Sequence, residues 1–157
     1  SKSINKGQFT DAMSVEVLPA IALVRKSLLK SVGLFDDTFF AVYEDTDFCF
    51  RIREAGYRLL CISATRAWHK VSSDERKSIE GVMNRAYLVS RNRIIFMKKH
   101  SKNFPAFVVL FLPIYLIYYT LYVFCLNRVG WSKSFLKGAV SGIALTLKSR
   151  DSPLLKG

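Results

Sequence analysis

A run of twenty-five uncharged residues, from Asn103 to Asn127, constrains this chain of 157 residues more than any other feature. The run is rich in Phe, Leu, Ile, Val and Tyr. Because a helix needs about 20 apolar residues to cross the hydrocarbon core of a bilayer, this segment is long enough to span one. Its tyrosines and Pro113 also allow a kinked, shallow or re-entrant insertion. The sequence therefore predicts membrane association and leaves both modes of insertion open.

The charge of the chain is uneven, and the basic excess belongs to its second half. Residues 1–80 carry 12 basic and 11 acidic residues, whereas residues 81–157 carry 12 and 1, for a net charge of +12. Three lysines lie just before the uncharged run and Arg128 lies just after it. This arrangement favours anionic lipid head groups as the partner. A nucleic-acid-binding module is the disfavoured alternative, because its stacking groove would alternate aromatic residues with Lys and Arg.

The segment that follows the uncharged run has a helical pattern of its own. Its apolar residues recur at every fourth position: Phe135, Ala139, Ile143 and Leu147. An apolar stripe opposite basic side chains is typical of an amphipathic helix that lies on a membrane surface. Residues 101–157 are therefore predicted to form a membrane-associated helical tail.

The first hundred residues combine strand patterns with helix patterns. The predicted elements, in chain order, are a strand over 15–24, a helix over 25–32, a helix from Glu44 to about Ala55, a strand over 57–62 and a helix over 73–99. Gly33 and Gly56 stand just after the two short helices, where a C-terminal cap favours glycine. The alternation predicts an α/β fold class for residues 1–100.

Three acidic residues stand at the start of the helix that begins at Glu44. Glu44 and Asp45 fall in its first turn, where the helix macrodipole favours negative charge with or without a catalytic role. Asp47 lies four residues before Arg51, which is the spacing of a favourable ion pair, so we expect Arg51 to brace Asp47. Carboxylates can also take a proton from a reacting hydroxyl group. A structural and a catalytic interpretation of Glu44 and Asp45 both remain open on these grounds.

The stretch from Gly33 to His69 reads GLFDDTFF, then YEDTDFCFRIREAGYRL, and later a small-residue segment that ends in WH. This ordered pattern resembles the acceptor-side half of the family 2 glycosyltransferases, in particular the rhamnosyltransferases. The positions that match the family pattern are Gly33, Phe35, Asp36, Phe39, Phe40, Glu44, Asp45, Asp47, Arg51, Gly56, Tyr57 and His69.

The resemblance implies a GT-A fold, the α/β fold of nucleotide-diphospho-sugar transferases, present here in part. Residues 1–100 would be the C-terminal portion of that domain, with its long helix followed by the hydrophobic membrane segment and the amphipathic helix. The nucleotide-binding units and the Asp-x-Asp metal motif of such enzymes have no counterpart before Gly33. We therefore expect a fragment of an enzyme, completed by a separate N-terminal half or within a homo-oligomer.

The resemblance also implies roles for individual residues. Asp45 would be the general base, and Glu44 would orient the acceptor or the base. The acceptor-binding residues would be Phe39, Phe40 and Asp47. His69 would be a ligand of a divalent metal ion, Mg²⁺ or Mn²⁺, near the departing diphosphate.

The implied function is the transfer of a sugar from a nucleotide-sugar donor to a cell-surface glycan or a lipid-linked acceptor. Such transfer belongs to cell wall or polysaccharide biosynthesis, with the acidic motif on the cytoplasmic face of a membrane and no nucleic acid as partner. The alternative is a non-catalytic, membrane-associated adaptor that lacks the donor-binding half. The donor, acceptor and linkage are not encoded in the matched residues.

Overall fold

The computed structural model describes residues 12–18, 21–62, 79–125 and 129–148, and these are mostly helical. The elements, in order, are β1 (Met13–Val15), α1 (Lys26–Val32), α2 (Glu44–Glu54), β2 (Leu59–Cys61), α3 (Ile79–His100), α4 (Phe104–Ala106), a π-helical turn (Phe107–Phe111), α5 (Leu112–Cys125) and α6 (Val129–Lys148). They belong to two compact units. The first unit holds β1, α1, α2 and β2, and the second holds the loop 38–43 and the remaining helices.

The sheet of the first unit is small. β1 and β2 pair antiparallel over three residues each, from Met13 opposite Cys61 to Val15 opposite Leu59. The strand predicted over 15–24 overlaps β1 only at Val15, and the described residues 16–18 and 21–24 form no strand. The pairing ends where β2 begins at Leu59, and an unpaired strand would leave backbone groups unsatisfied. The described residues form no other sheet. The GT-A fold therefore stays a prediction.

The core of the first unit lies on one face of α2. Phe48, Cys49 and Ile52 are buried there and cluster with Leu59 of β2, and partly buried apolar side chains of α1 pack against them. These positions follow the apolar spacing of an amphipathic helix. Gly56 follows α2 with a φ of 83°, a left-handed conformation that glycine adopts without a steric clash at Cβ.

In the second unit, α3 and α6 pack side by side at close range. Gly138 and Gly142 of α6 face the backbone of α3, and a Cβ atom on Gly142 would lie 2.8 Å from the carbonyl oxygen of Arg91. The hydroxyl group of Tyr87 in α3 donates a hydrogen bond to the Ser141 hydroxyl oxygen in α6 (2.9 Å). The two glycines therefore allow a helix separation that larger residues would prevent.

α4, the π-helical turn and α5 form one continuous helix, which we call the apolar helix. Asn103 caps its first turn by accepting a hydrogen bond from the backbone N–H of Ala106 (3.3 Å). Between Phe104 and Tyr122 the helix has a mean hydropathy of 1.9 and is long and apolar enough to cross a membrane. Its length and composition therefore support membrane association.

α6 coincides with the predicted amphipathic helix, but part of its apolar face has a different partner. Phe135 and Ala139 are buried. Ala139 packs with Ile94 of α3 and with Leu112 of the apolar helix. The prediction that this face lies on a membrane surface is therefore wrong for Phe135 and Ala139, because protein side chains cover them. Leu147, nearer the end of the helix, is exposed.

Gly138→Ala is expected to lower the free energy of unfolding by about 2 kcal/mol. The new Cβ atom would overlap the carbonyl oxygen of Tyr87, and such overpacking costs roughly 1–3 kcal/mol or more. This cost exceeds the gain in helix propensity of about 1 kcal/mol. Urea unfolding in detergent, followed by circular dichroism, measures the change. Lys137→Ala on the exposed side of α6 is the control and should stay within about 0.5 kcal/mol, so equal stabilities would contradict the close packing.

Candidate functional site

Glu44 and Asp45 begin α2, and both are half-buried. Asp45 Oδ1 accepts hydrogen bonds from the backbone N–H of Thr46 (2.7 Å) and from the Thr46 hydroxyl group (3.2 Å). Glu44 Oε2 is buried and has no hydrogen-bond partner among the described residues. The positive end of the helix dipole stabilises negative charge here. A buried carboxylate oxygen without a donor is nevertheless costly, so a ligand hydroxyl that donated to it would be favoured.

Asp47, in contrast, is fully buried and already paired. Its Oδ2 accepts a hydrogen bond from Arg51 Nε (2.9 Å), which confirms the predicted ion pair. Arg51 also donates to the carbonyl oxygens of Val32 and of Leu34, the latter at 2.7 Å. The guanidinium thereby ties α2 to the segment that follows α1. Asp47 offers no surface to an acceptor, so the structure assigns it a structural role in place of the predicted acceptor contact.

The loop Thr38–Tyr43 has an unusual backbone. Phe40, Val42 and Tyr43 have φ angles of 58°, 66° and 79°. Residues with side chains rarely adopt this region, at a cost on the order of 1–3 kcal/mol each. Phe39 is fully buried, whereas the side chain of Phe40 is 84% exposed. Of the two phenylalanines predicted to contact the acceptor, Phe40 alone presents its ring to solvent.

The side-chain amide of Asn92 in α3 holds this loop. Its Nδ2 donates hydrogen bonds to the backbone carbonyl oxygens of Phe39 (2.8 Å), Ala41 (2.7 Å) and Val42 (2.7 Å). Asn92 is fully buried, and so is its hydrogen bond to Phe39. The amide nitrogen has two hydrogen atoms, so two of the three carbonyl oxygens share one of them. At about 1 kcal/mol net for each hydrogen bond, the amide offsets part of the backbone strain.

Arg91 and Arg93, which flank Asn92, also contact the loop Thr38–Tyr43. Arg91 Nη1 donates to the carbonyl oxygen of Thr38 (3.0 Å). Arg93 Nε donates to the hydroxyl oxygen of Tyr43 (3.0 Å), and its guanidinium carbon lies 4.0 Å from the ring centroid of Tyr115 in the apolar helix. The sequence patterns predicted no role for Arg91, Asn92 and Arg93. The available signal was the polar triplet Arg-Asn-Arg inside an otherwise apolar helical pattern.

Asn92→Ala is expected to speed amide hydrogen exchange in the loop Thr38–Tyr43 and to lower the free energy of unfolding by about 2 kcal/mol. The reason is that three carbonyl oxygens, of which that of Phe39 is buried, lose their donor and the strained φ angles lose their support. Mass spectrometry after deuterium labelling measures the exchange peptide by peptide.

Ser90→Ala is the matched control for Asn92→Ala. Ser90 is also buried in α3, but its hydroxyl oxygen has no hydrogen-bond partner within the described part of the chain. Removing that hydroxyl should therefore leave stability unchanged or raise it. Identical exchange in the loop for Ser90→Ala and Asn92→Ala would show that Asn92 does not hold it.

The metal site implied by the resemblance receives no support from the residues that can be described. His69 lies outside them. Within residues 12–18, 21–62, 79–125 and 129–148, no group of three or more His, Cys, Asp or Glu side chains is placed to hold a metal ion.

Comparison of the chain with protein-family models, with curated proteins and with solved structures gave no match. Function therefore has to be argued from the residues of the site and their chemistry. In the second unit, Phe40 is exposed in a loop that a buried amide holds. In the first unit, two carboxylates lie in the first turn of α2. A carboxylate in that position is able to orient a hydroxyl group and to accept its proton.

Proposed function

We propose that this chain is the acceptor-side part of a membrane-associated glycosyltransferase similar to those of family 2. The enzyme transfers a sugar from a nucleotide-sugar donor to a glycan or a lipid-linked acceptor. The observation that carries the proposal is the pair of adjacent carboxylates, Glu44 and Asp45, at the start of α2. Glu44 Oε2 supports it further, because this buried oxygen lacks a donor among the described residues and an acceptor hydroxyl would supply one.

Asp45 acts as the general base in this proposal. The hydroxyl oxygen of the acceptor attacks the anomeric carbon of the donor sugar, and the hydroxyl proton passes to the Asp45 carboxylate. The bond between the anomeric carbon and the diphosphate oxygen breaks, and the nucleoside diphosphate leaves with the bonding electrons. Glu44 accepts a hydrogen bond from the acceptor and holds it in line for attack, which lowers the entropic cost of the reaction.

The remaining residues of the motif support these two carboxylates. The ion pair of Asp47 with Arg51 fixes the first turn of α2, since the same guanidinium also binds the carbonyl oxygens of Val32 and Leu34. Phe40 offers an exposed aromatic ring, a surface suited to the apolar face of a sugar ring. Phe39 is buried and belongs to the support of the loop.

Membrane association supports a lipid-linked or membrane-bound acceptor. The apolar helix attaches the enzyme, and the acidic motif of α2 faces the cytoplasm, where nucleotide sugars are made. A substrate already in the membrane meets such an enzyme by diffusion in two dimensions. The donor-binding half completes the enzyme, either as a separate chain or within the same polypeptide.

The proposal is tested by producing the chain together with the protein encoded directly upstream of it, in membranes that contain the native lipids. Labelled sugar from a panel of nucleotide sugars should appear in lipid or glycan, with release of one nucleoside diphosphate per sugar. Sugar transfer that is equally fast without this chain would refute the proposal. Donor binding by the assembled pair with no transfer to any membrane acceptor would favour the adaptor.

A further inference from the structure

One face of the apolar helix is uncovered along most of its length. Its large apolar side chains are all more than half exposed: Val109, Leu110, Phe111, Ile114, Ile117, Tyr118, Leu121 and Tyr122. Leu110, Ile114, Ile117 and Leu121 follow one another at intervals of three and four residues, which places them on a single stripe. We call this stripe the outer face of the apolar helix. Its length and apolar character suit a lipid surface.

The opposite face of the apolar helix is covered by the protein along the same length. Phe135 of α6 stacks on the ring of Tyr119 (centroids 3.7 Å apart) and meets Tyr115 edge-on (5.3 Å). Further along, Leu112 clusters with Ala139 of α6. The ring contacts of Phe135 therefore place α6 against the apolar helix at Tyr115 and Tyr119.

Because α6 packs against the apolar helix, charged side chains of α3 and α6 lie close to the middle of that helix. The guanidinium of Arg93 lies on Tyr115, near the middle of the segment from Phe104 to Tyr122. Lys133 and Lys137 are exposed, and each is two residues from Phe135, or about 3 Å along the axis of α6. If the apolar helix crossed a bilayer, all three charges would lie at the level of the hydrocarbon core.

We propose that the apolar helix lies in the plane of the membrane, with its outer face in one leaflet, and does not cross the bilayer. Charges in the hydrocarbon core are unfavourable, and a crossing helix would place three at that level. It would also draw in the non-helical loop at Tyr43, which Arg93 binds, although irregular backbone is not tolerated against lipid. An in-plane helix keeps these groups at the aqueous side.

The occupant of the outer face is thus one leaflet of an anionic phospholipid bilayer. Lys98, near the end of α3, lies beside the first residue of the apolar helix, with its Nζ 5.2 Å from the ring centroid of Phe104. Lys99 and Lys102 follow it in the sequence. Basic side chains at the edge of an in-plane helix contact anionic head groups. The proposal rests on the membrane attachment in the proposed function and is independent of sugar transfer.

The proposal is tested by measuring the depth of spin labels in vesicles of phosphatidylcholine and phosphatidylglycerol. Labels are attached to single cysteines at Leu110, Ile114, Ile117 and Leu121 of the full chain. The exposed Cys61 and Cys125 are changed to serine, and the buried Cys49 is retained. An in-plane helix gives four equal, shallow depths. A crossing helix gives its greatest depth near Ile114, with Leu121 shallower by about 10 Å, and would overturn the proposal.

A labelling experiment distinguishes the ways in which the proposal can fail. A membrane-impermeant maleimide is added outside sealed vesicles that carry the chain with Lys102→Cys and the native Cys125 as separate reactive sites. Both sites should react to the same extent, because both ends of an in-plane helix stay on one side. Reaction of one site alone would overturn the in-plane arrangement and keep the membrane attachment. Failure of the chain to bind the vesicles would overturn both the in-plane arrangement and the membrane attachment. A spin label on Lys137→Cys should stay accessible to water, because the in-plane helix keeps this residue on the aqueous side.

Discussion

Asp45→Asn is expected to slow sugar transfer roughly 100- to 10,000-fold, while the affinity for the nucleotide-sugar donor stays close to that of the parent. The amide has the size of the carboxylate and can still accept hydrogen bonds from Thr46, so the first turn of α2 should keep its geometry. It cannot accept the proton of the acceptor hydroxyl. The loss should therefore fall on the chemical step, and single-turnover rates with donor affinities measured side by side will detect it.

Two further variants determine the meaning of the Asp45→Asn result. Glu44→Gln should cost less, because an amide oxygen can still accept the hydrogen bond that orients the acceptor. Asp37→Asn removes an exposed carboxylate outside α2 and should leave transfer unchanged. A dead Glu44→Gln beside an active Asp45→Asn would reverse the two roles. If neither substitution matters, the two carboxylates serve the helix dipole and not catalysis.

Arg51→Ala should lower the free energy of unfolding by about 3–5 kcal/mol, the largest stability effect that we expect in the first unit. Asp47 is fully buried, so loss of the guanidinium leaves a buried charge without its partner. The carbonyl oxygens of Val32 and Leu34 lose a donor at the same time. Denaturant unfolding of the whole chain in detergent, monitored through the folded fraction, provides the measurement.

A double-mutant cycle separates the ion pair from the other contacts of Arg51. The double variant Arg51→Ala with Asp47→Ala should be more stable than the sum of the single effects predicts, because no uncompensated charge remains. Arg51→Lys restores the charge but not the planar set of donors, so it should recover part of the loss. A cost of less than about 1 kcal/mol for Arg51→Ala would mean that solvent screens the pair as it does on a surface.

The local features of the first unit could be predicted because their signals lie close together in the chain. α2 was recognisable from acids in its first turn, the apolar positions Phe48 and Ile52, and the glycine after its end. The pair of Asp47 with Arg51 was likewise readable, since helical geometry brings residues four apart together. What could not be read was the burial of Asp47, because burial depends on the segments that cover α2.

The loop 38–43 shows why half of the candidate site was beyond prediction. Phe39 and Phe40 are the same residue type side by side, but one ring is buried and the other is exposed, and Phe40 has a positive φ. That φ is maintained by Asn92, about fifty positions away in the chain. No periodicity in the sequence links an amide in one helix to carbonyl oxygens in a distant loop.

The helical periodicity of α6 predicted its apolar face. It could not predict whether protein or lipid covers that face. The spacing of Phe135 and Ala139 marks one face as apolar, and that face is buried as apolar faces are. Lipid and protein side chains satisfy an apolar stripe in the same way. Gly138 and Gly142 let α3 come close to α6, so this apolar face packs against protein side chains.

Arg93 has one further consequence for how the protein should be handled. A single guanidinium contacts both Tyr43 in the loop and Tyr115 in the apolar helix. A detergent that displaces Tyr115 is therefore expected to disturb the hydrogen bond of Arg93 to Tyr43. We expect the loop that carries Phe40 to respond to the choice of detergent before any substrate is added.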